Sequence, residues 1–217
     1  MIKLLNQEIQ QYINANLHAD LHSLLLKKSP FAEVSMQELV QQIKGRKVAE
    51  KKFPFLNQEN IILPPNRNLK QASSQDTADF KKQFFKGKKF IDLTCGFGID
   101  AYFLSQNFEE ITLIEQNTEL LDIVKHNWEV LGRKANFINQ KLEDFLKNNK
   151  EHFDLIYLDP ARRDNHNRKV FLLEDLSPNI IEIQEQLSDI SPEILIKLSP
   201  LIDIQHLVSS LQNIYKI

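Results

Sequence analysis

The chain has one cysteine, Cys95, in 217 residues, so no disulfide can form within it. That usage suits a reducing compartment and leads to the expectation of a cytoplasmic protein. Six scattered histidines and this lone thiol form no metal cluster. His18 and His22 share a helix face, but a metal would need further ligands, so no bound metal is expected. No apolar run approaches the ~20 residues of a membrane-spanning helix. The opening octet, Met1 to Glu8, turns polar too early for a secretion signal. Glycine is also scarce. There are five in the chain, and two of them, Gly96 and Gly98, fall in one turn.

What is present is an ordinary globular composition, long enough for one domain and a small accessory one. The charge is divided along the chain. Residues 1–90 hold 15 Lys/Arg and 8 Asp/Glu, a net +7, and residues 91–217 hold 12 and 21, a net −9. A basic part beside an acidic one can steer a polyanion, although uneven charge also arises without function.

Residues 1–70 read as a helical subdomain and connector. Leucines 17, 21, 24 and 25 recur at helical spacing. Ser35 to Glu38 forms a capping-box pattern that opens a helix, which Gly45 would end or kink. Pro54, Pro64 and Pro65 mark the connector, with Ile61-Ile62-Leu63 as a short strand candidate. A helix starting at Ser73 to Thr77 runs to about Phe85. From residue 71 to 217 an α/β domain is expected. Apolar runs at 90–93, 111–114, 136–138, 155–158 and 194–198 alternate with helical patterns at 99–107, 118–131, 142–149 and 176–188. Gly132 stands where a helix would end. This rhythm predicts βαβ units and a parallel, Rossmann-like sheet, with residues 214–217 starting one more strand.

The turn Asp92-Leu93-Thr94-Cys95-Gly96-Phe97-Gly98 follows the first strand, where such a sheet cradles a nucleotide-containing ligand. Two ligands compete for it. Gly96-x-Gly98-x-x-Ala101, with Glu115 about 20 residues on, fits a dinucleotide fingerprint. Asp92, four residues ahead of Gly96, fits instead the D/E-x-x-x-G-x-G pattern of class I methyltransferases. There Asp92 would lie near the cationic methionine end of S-adenosylmethionine, and Glu115 would accept bidentate hydrogen bonds from the ribose diol. Asp92 and Thr94 interrupt the unbroken apolar strand usual before a dinucleotide turn, which favours the methyl donor. Thr94-Cys95-Gly96 also resembles the T-C-G-S-G loop of several nucleic-acid methyltransferases. After the third strand Lys141 stands where an acid often takes the adenine amine. That role could pass to the backbone near Leu142, or to Glu143 or Asp144.

Tyr157-Leu158-Asp159-Pro160-Ala161-Arg162-Arg163 ends the fourth strand. It resembles the [DN]-P-P-[YFW] loop of amino methyltransferases but lacks the aromatic that stacks on a base. Asp159 and Pro160 are candidate catalytic residues. Arg162 and Arg163 offer forked donors to phosphate or carboxylate, or surface ion pairs with Asp164 or Glu174. Covalent C5 methylation of pyrimidines needs a cysteine nucleophile. The only cysteine belongs to the cofactor turn, so direct displacement remains.

Together these strings resemble a family of bacterial class I methyltransferases that carry a THUMP-like, ferredoxin-like C-terminal domain. The resemblance covers nearly the whole chain, including Gln42 to Arg46, Ser73 to Ala78, Asp92 to Gly98, Asp159 to Arg163 and Ile196 to Asp203. It implies that the Ser73 to Thr77 segment lies across the methyl-donor site, with its hydroxyls (Ser74 and Thr77 as cofactor contacts) or its helix N-terminus facing the carboxylate. It places Lys197 and Ser199 at the crevice rim, Lys197 toward substrate. It also implies RNA, as rRNA or tRNA, as substrate. The family continues through further strands and the ferredoxin-like domain, neither of which is in this sequence, so a sheet lacking its last strands is expected. Lysines and arginines at 44–52 and 81–89 could contact phosphates or form a solvated face. A protein or small-molecule methyltransferase, an NAD-dependent oxidoreductase and a non-enzymatic RNA-binding module remain the other readings.

Overall fold

The computed structural model describes residues 2–161 and 172–217. Five α-helices precede the first strand: α1 (Gln7–Ala15), α2 (Leu21–Leu25), α3 (Met36–Lys52), α4 (Asn66–Gln71) and α5 (Gln75–Lys82). Strands and helices then alternate: β1 (Lys89–Asp92), α6 (Ile99–Leu104), β2 (Glu110–Ile114), α7 (Thr118–Val130), β3 (Asn136–Ile138), α8 (Leu142–Asn148), β4 (Leu155–Leu158), α9 (Ile180–Ile190), β5 (Ile194–Ile196) and α10 (Ile204–Ser210). The chain forms two compact units. A helical unit takes Met1–Gln83, Gly96–Leu104 and Asn117–Lys134, and a sheet unit takes Phe84–Cys95, Ser105–Gln116 and Ala135–Ile217.

In the sheet unit all five strands are parallel, in the order β3-β2-β1-β4-β5. This is the Rossmann-like α/β sheet expected from the alternating pattern. β1 is central, and Asp92 stands opposite Leu113 of β2 and Tyr157 of β4. The C-terminal tips of β2, β1 and β4 are therefore adjacent. Ile91, Ile114, Ile156 and Leu158 from the strands pack in one core with Leu142 and Leu146 of α8, Ile180, Ile183 and Leu187 of α9, and Leu207 of α10. Each such buried Leu or Ile stabilises the fold by about 2 kcal/mol. The helix ends follow their capping residues. Asn179 caps α9 and Asp203 caps α10 by accepting backbone N–H groups.

The helical unit buries Ile9, Ile13, Leu24, Leu39, Val40, Ile43 and Ile62 together. The capping box at Ser35 and Glu38 opens α3 as expected, with both reciprocal hydrogen bonds present. Gly132 ends α7 at φ +69°. The N–H of Arg133 reaches the Trp128 carbonyl at 2.8 Å, and that of Gly132 reaches Glu129 at 3.1 Å, closing the helix C-terminus.

Three local expectations are corrected. Gly45 does not end its helix, because α3 runs on to Lys52. Its missing side chain serves a different contact: a Cβ there would lie 2.7 Å from Leu63 Cβ. Ile61 to Leu63 is buried but forms no strand. Two side-chain amides take the place of strand neighbours. Gln42 donates to the Leu63 carbonyl at 2.8 Å and accepts its N–H at 3.0 Å. Asn127 does the same for Ile62, at 2.8 and 2.9 Å. Residues 214–217 form no strand either. Smaller shifts occur at helix ends, with α5 stopping at Lys82 and α9 starting at Ile180.

Gly45→Ala is therefore expected to destabilise the protein by about 1–3 kcal/mol through overpacking. The same exchange in an uncrowded helix interior would stabilise by about 1 kcal/mol, so the sign of the shift in a urea-denaturation midpoint decides the matter.

Candidate active site

On the sheet unit the candidate residues gather at the strand tips. Asp92 ends β1 and is only 1 % exposed. Its Oδ1 accepts the Thr94 N–H at 2.9 Å, an Asx-type turn that bends the chain as the strand ends. The Cys95 N–H then reaches back to the Ile114 carbonyl of β2 at 2.9 Å. Glu115 follows β2 directly and is half-buried. Asn139, just past β3, donates to the carbonyls of Glu115 and Gln116 at 2.8 and 3.1 Å and so fixes that backbone. Carboxylates thus stand at the ends of two adjacent strands, which lie about 4.8 Å apart.

Asp159, one residue past β4, is held from three sides. Its N–H donates to Thr94 Oγ1 at 2.7 Å. Its Oδ2 takes a charge-assisted hydrogen bond from Lys197 Nζ. Beyond Pro160, Ala161 exchanges two backbone hydrogen bonds with Ser177, at 2.8 and 3.1 Å. Lys197 is itself fixed through its N–H to the Leu158 carbonyl at 2.8 Å. The structure therefore brings Thr94, Asp159 and Lys197 together. Lys197, read from sequence as a substrate contact, pairs with the catalytic candidate. Ser177 and Asn139 escaped the sequence reading. An Asn one residue past a strand was the available signal for the second, and nothing local marked the first. Arg162 and Arg163 lie outside the described residues.

Leu142 begins α8, and its side chain is buried in the apolar core of the sheet unit. Only its backbone remains for recognising a base. The Cys95 thiol is pushed well above its ordinary pKa, first by burial and then by the nearby charges of Asp92 and Glu115. The neutral thiol therefore persists through neutral and mildly alkaline pH.

On the helical unit Gly96 and Gly98 have φ of +56° and +72°. That left-handed backbone is one a side chain would strain. The Gly98 carbonyl accepts the Tyr102 N–H at 2.9 Å, which starts α6. Phe97 between them is buried with its ring edge-on to Phe53, centroids 6.0 Å apart. Ser74 caps α5. Its Oγ accepts the Thr77 N–H at 3.3 Å and shares a 2.8 Å hydrogen bond with Thr77 Oγ1. Much of the basic run is engaged internally. Arg46 donates to Gln10 at 2.7 Å, Lys47 to the Ala19 carbonyl at 3.3 Å, and Lys52 to the carbonyls of Leu69 and Ala72. In the sheet unit Lys88 and Lys89 pair with Glu110, and Lys89 also with Glu151.

Thr94→Val keeps the shape of the side chain but removes the acceptor for the Asp159 N–H, so a loss of about 1–3 kcal/mol is expected in thermal or urea unfolding. Cys95 is expected to alkylate with iodoacetamide at pH 8 on the order of 100-fold more slowly in the native protein than after unfolding, as read by intact-mass spectrometry.

Among solved structures, one from Porphyromonas gingivalis W83, described as a candidate methyltransferase, superposes with a TM-score of 0.81 at 27% identity, covering 97% of this chain and 52% of that one. An uncharacterised RNA methyltransferase of Mycoplasma mobile is 32% identical over 92 residues, 42% of this chain and 25% of that protein. The chain thus spans about half the length of the first relative, and its match covers a quarter of the second. Residues 42–190, more than half of the chain, match the family described as conserved hypothetical protein 95, and the chain belongs to that family.

Proposed function

We propose that the protein is an S-adenosylmethionine-dependent methyltransferase acting on RNA, with rRNA or tRNA as the substrate class. The observation that carries this reading is the buried Asp92 at the tip of the central strand, in a turn whose two glycines both have left-handed φ. A buried carboxylate there suits a ligand with an ammonium group better than one with a pyrophosphate. The similarity to the P. gingivalis structure and to the M. mobile RNA methyltransferase supports the same reading.

The residues present fit the methyl donor. Asp92, Thr94, Cys95, Gly96 and Gly98 belong to the one continuous turn that would bind it. Glu115 would hold its ribose hydroxyls, the Leu142 backbone its adenine, and Ser74 and Thr77 its carboxylate end. The bound cofactor supplies an electrophilic methyl group on its sulfonium. The protein then has to orient the nucleophile. Asp159, fixed by Thr94 and Lys197, would do that at the end of β4, with Pro160 restricting the loop. Lys197, Arg162 and Arg163 would meet the substrate, the arginines as forked phosphate donors. Support for RNA comes also from the resemblance to enzymes with a THUMP-like, ferredoxin-like domain and from the basic character of residues 1–90. A cytoplasmic location fits the unpaired-cysteine composition. We further place the boundary between an N-terminal helical subdomain and the methyltransferase domain near residue 70.

S-adenosylhomocysteine at about 100 times its Kd is expected to stabilise the protein by about 2.7 kcal/mol. For a chain of this size that is a rise in Tm of about 5–10 °C. Stabilisation by NAD and not by S-adenosylhomocysteine would reverse the assignment. Asp92→Ala and Glu115→Ala should each abolish the shift while leaving a cooperative unfolding transition. Binding to rRNA or tRNA should weaken steeply between 50 and 200 mM salt, on the order of 100-fold or more, and a shallow dependence would exclude RNA as the substrate.

A further inference from the structure

The helical unit contains a buried charge that the candidate site does not use. Asp100, the second residue of α6, is 7 % exposed. Ser73 Oγ donates to its Oδ2 at 2.8 Å. Lys81 Nζ, in the last turn of α5, pairs with its Oδ1. Lys81 Nζ also reaches Ser73 Oγ at 3.4 Å, which closes the cluster. Ser73 immediately precedes the α5 cap Ser74, and Asp100 stands two residues after Gly98. The three side chains therefore tie both ends of α5 to the first turn of α6, at the point where the left-handed turn ends.

Apolar residues could join two packed helices at equal or better stability, because burying an ion pair costs several kcal/mol of desolvation. What a hydrogen-bonded pair adds is direction. A carboxylate that accepts from two donors fixes the rotation and translation of α5 in a way that apolar contacts do not. Ser74 and Thr77 are carried on that helix, and their hydroxyls are already oriented by each other.

We infer that Ser73, Lys81 and Asp100 are positioning residues, which hold the N-terminal end of α5 and the Gly96–Gly98 turn in one arrangement for the methyl donor. The inference rests on the methyltransferase reading above. In this arrangement the three act through Ser74 and Gly98, and the Ser73 hydroxyl is directed to Asp100 and not to the donor. Lys81 is thereby a structural cation rather than one of the phosphate contacts that its basic surroundings suggest.

The test is calorimetric titration of S-adenosylhomocysteine into the 217-residue chain, with the Tm of the ligand-free protein measured in parallel. Lys81→Met alone strands a buried carboxylate and should lower Tm. Adding Asp100→Asn removes that charge and should restore Tm to near the wild-type value. If the cluster positions, the double variant still binds S-adenosylhomocysteine about tenfold or more weakly, and Ser73→Ala is also weakened. A double variant with wild-type Tm and wild-type affinity overturns the inference, leaving the cluster a stabilising contact alone. If the double variant does not fold, Ser73→Ala decides, since it leaves the ion pair in place; unchanged affinity overturns the inference and weakened affinity supports it. Failure of the wild-type chain to bind S-adenosylhomocysteine overturns the methyltransferase reading itself, and this inference with it. That outcome is distinct from selective loss in the variants.

Discussion

A carboxylate buried at the end of a central strand is costly unless hydrogen bonds or opposite charge support it. Asp92 meets this constraint partly by taking the N–H of Thr94, and much of the sheet unit follows from that one bond. It bends the chain out of β1. It also places the Thr94 hydroxyl where the Asp159 N–H can donate to it. Asp159 so held can receive Lys197 from the end of β5. The tips of three strands are thus connected in sequence from one acid. A substitution at Asp92 therefore reaches the neighbouring strand tips as well as the ligand contact proposed for it.

The strands were legible in the sequence because parallel, buried strands read as short β-branched and aromatic runs, as Lys89–Asp92 and Leu155–Leu158 do. The caps were legible for a similar reason. Ser35 with Glu38, and Gly132, each act within four residues of their own position. Ile61 to Leu63 has the pattern of a strand without forming one, because its hydrogen-bond partners are side chains 21 and 65 residues away. That Gly45 does not end its helix has the same kind of cause, since the demand for a missing side chain there comes from Leu63. At the candidate site the turn from Asp92 to Gly98 and the loop at Asp159 stood out by spacing. The cross-links that hold them, from Lys197 and Ser177, depend on distant segments meeting at strand ends, and local pattern does not encode that.

Net charge proved a coarse guide to what the basic residues do. Arg46, Lys47 and Lys52 each bond a carbonyl or amide of the helical unit, and Lys88 and Lys89 bond acids of the sheet unit. Lysine and arginine stems cover apolar surface while their heads satisfy helix ends, so a basic stretch can be mostly internal wiring. For a polyanion approaching the molecule, Glu110 and Glu151 offset part of the charge of Lys88 and Lys89. The neutral carbonyl and amide acceptors of Arg46, Lys47 and Lys52 fix those side chains without cancelling their charge.

The amides of Gln42 and Asn127 recognise the connector through its peptide groups and not through its side chains. Positions 62 and 63 can therefore exchange one apolar residue for another of similar volume while keeping all four hydrogen bonds. Proline is the residue they cannot accept, because it has no N–H to give. The two prolines of this segment, Pro64 and Pro65, begin at the first residue beyond the bracketed pair.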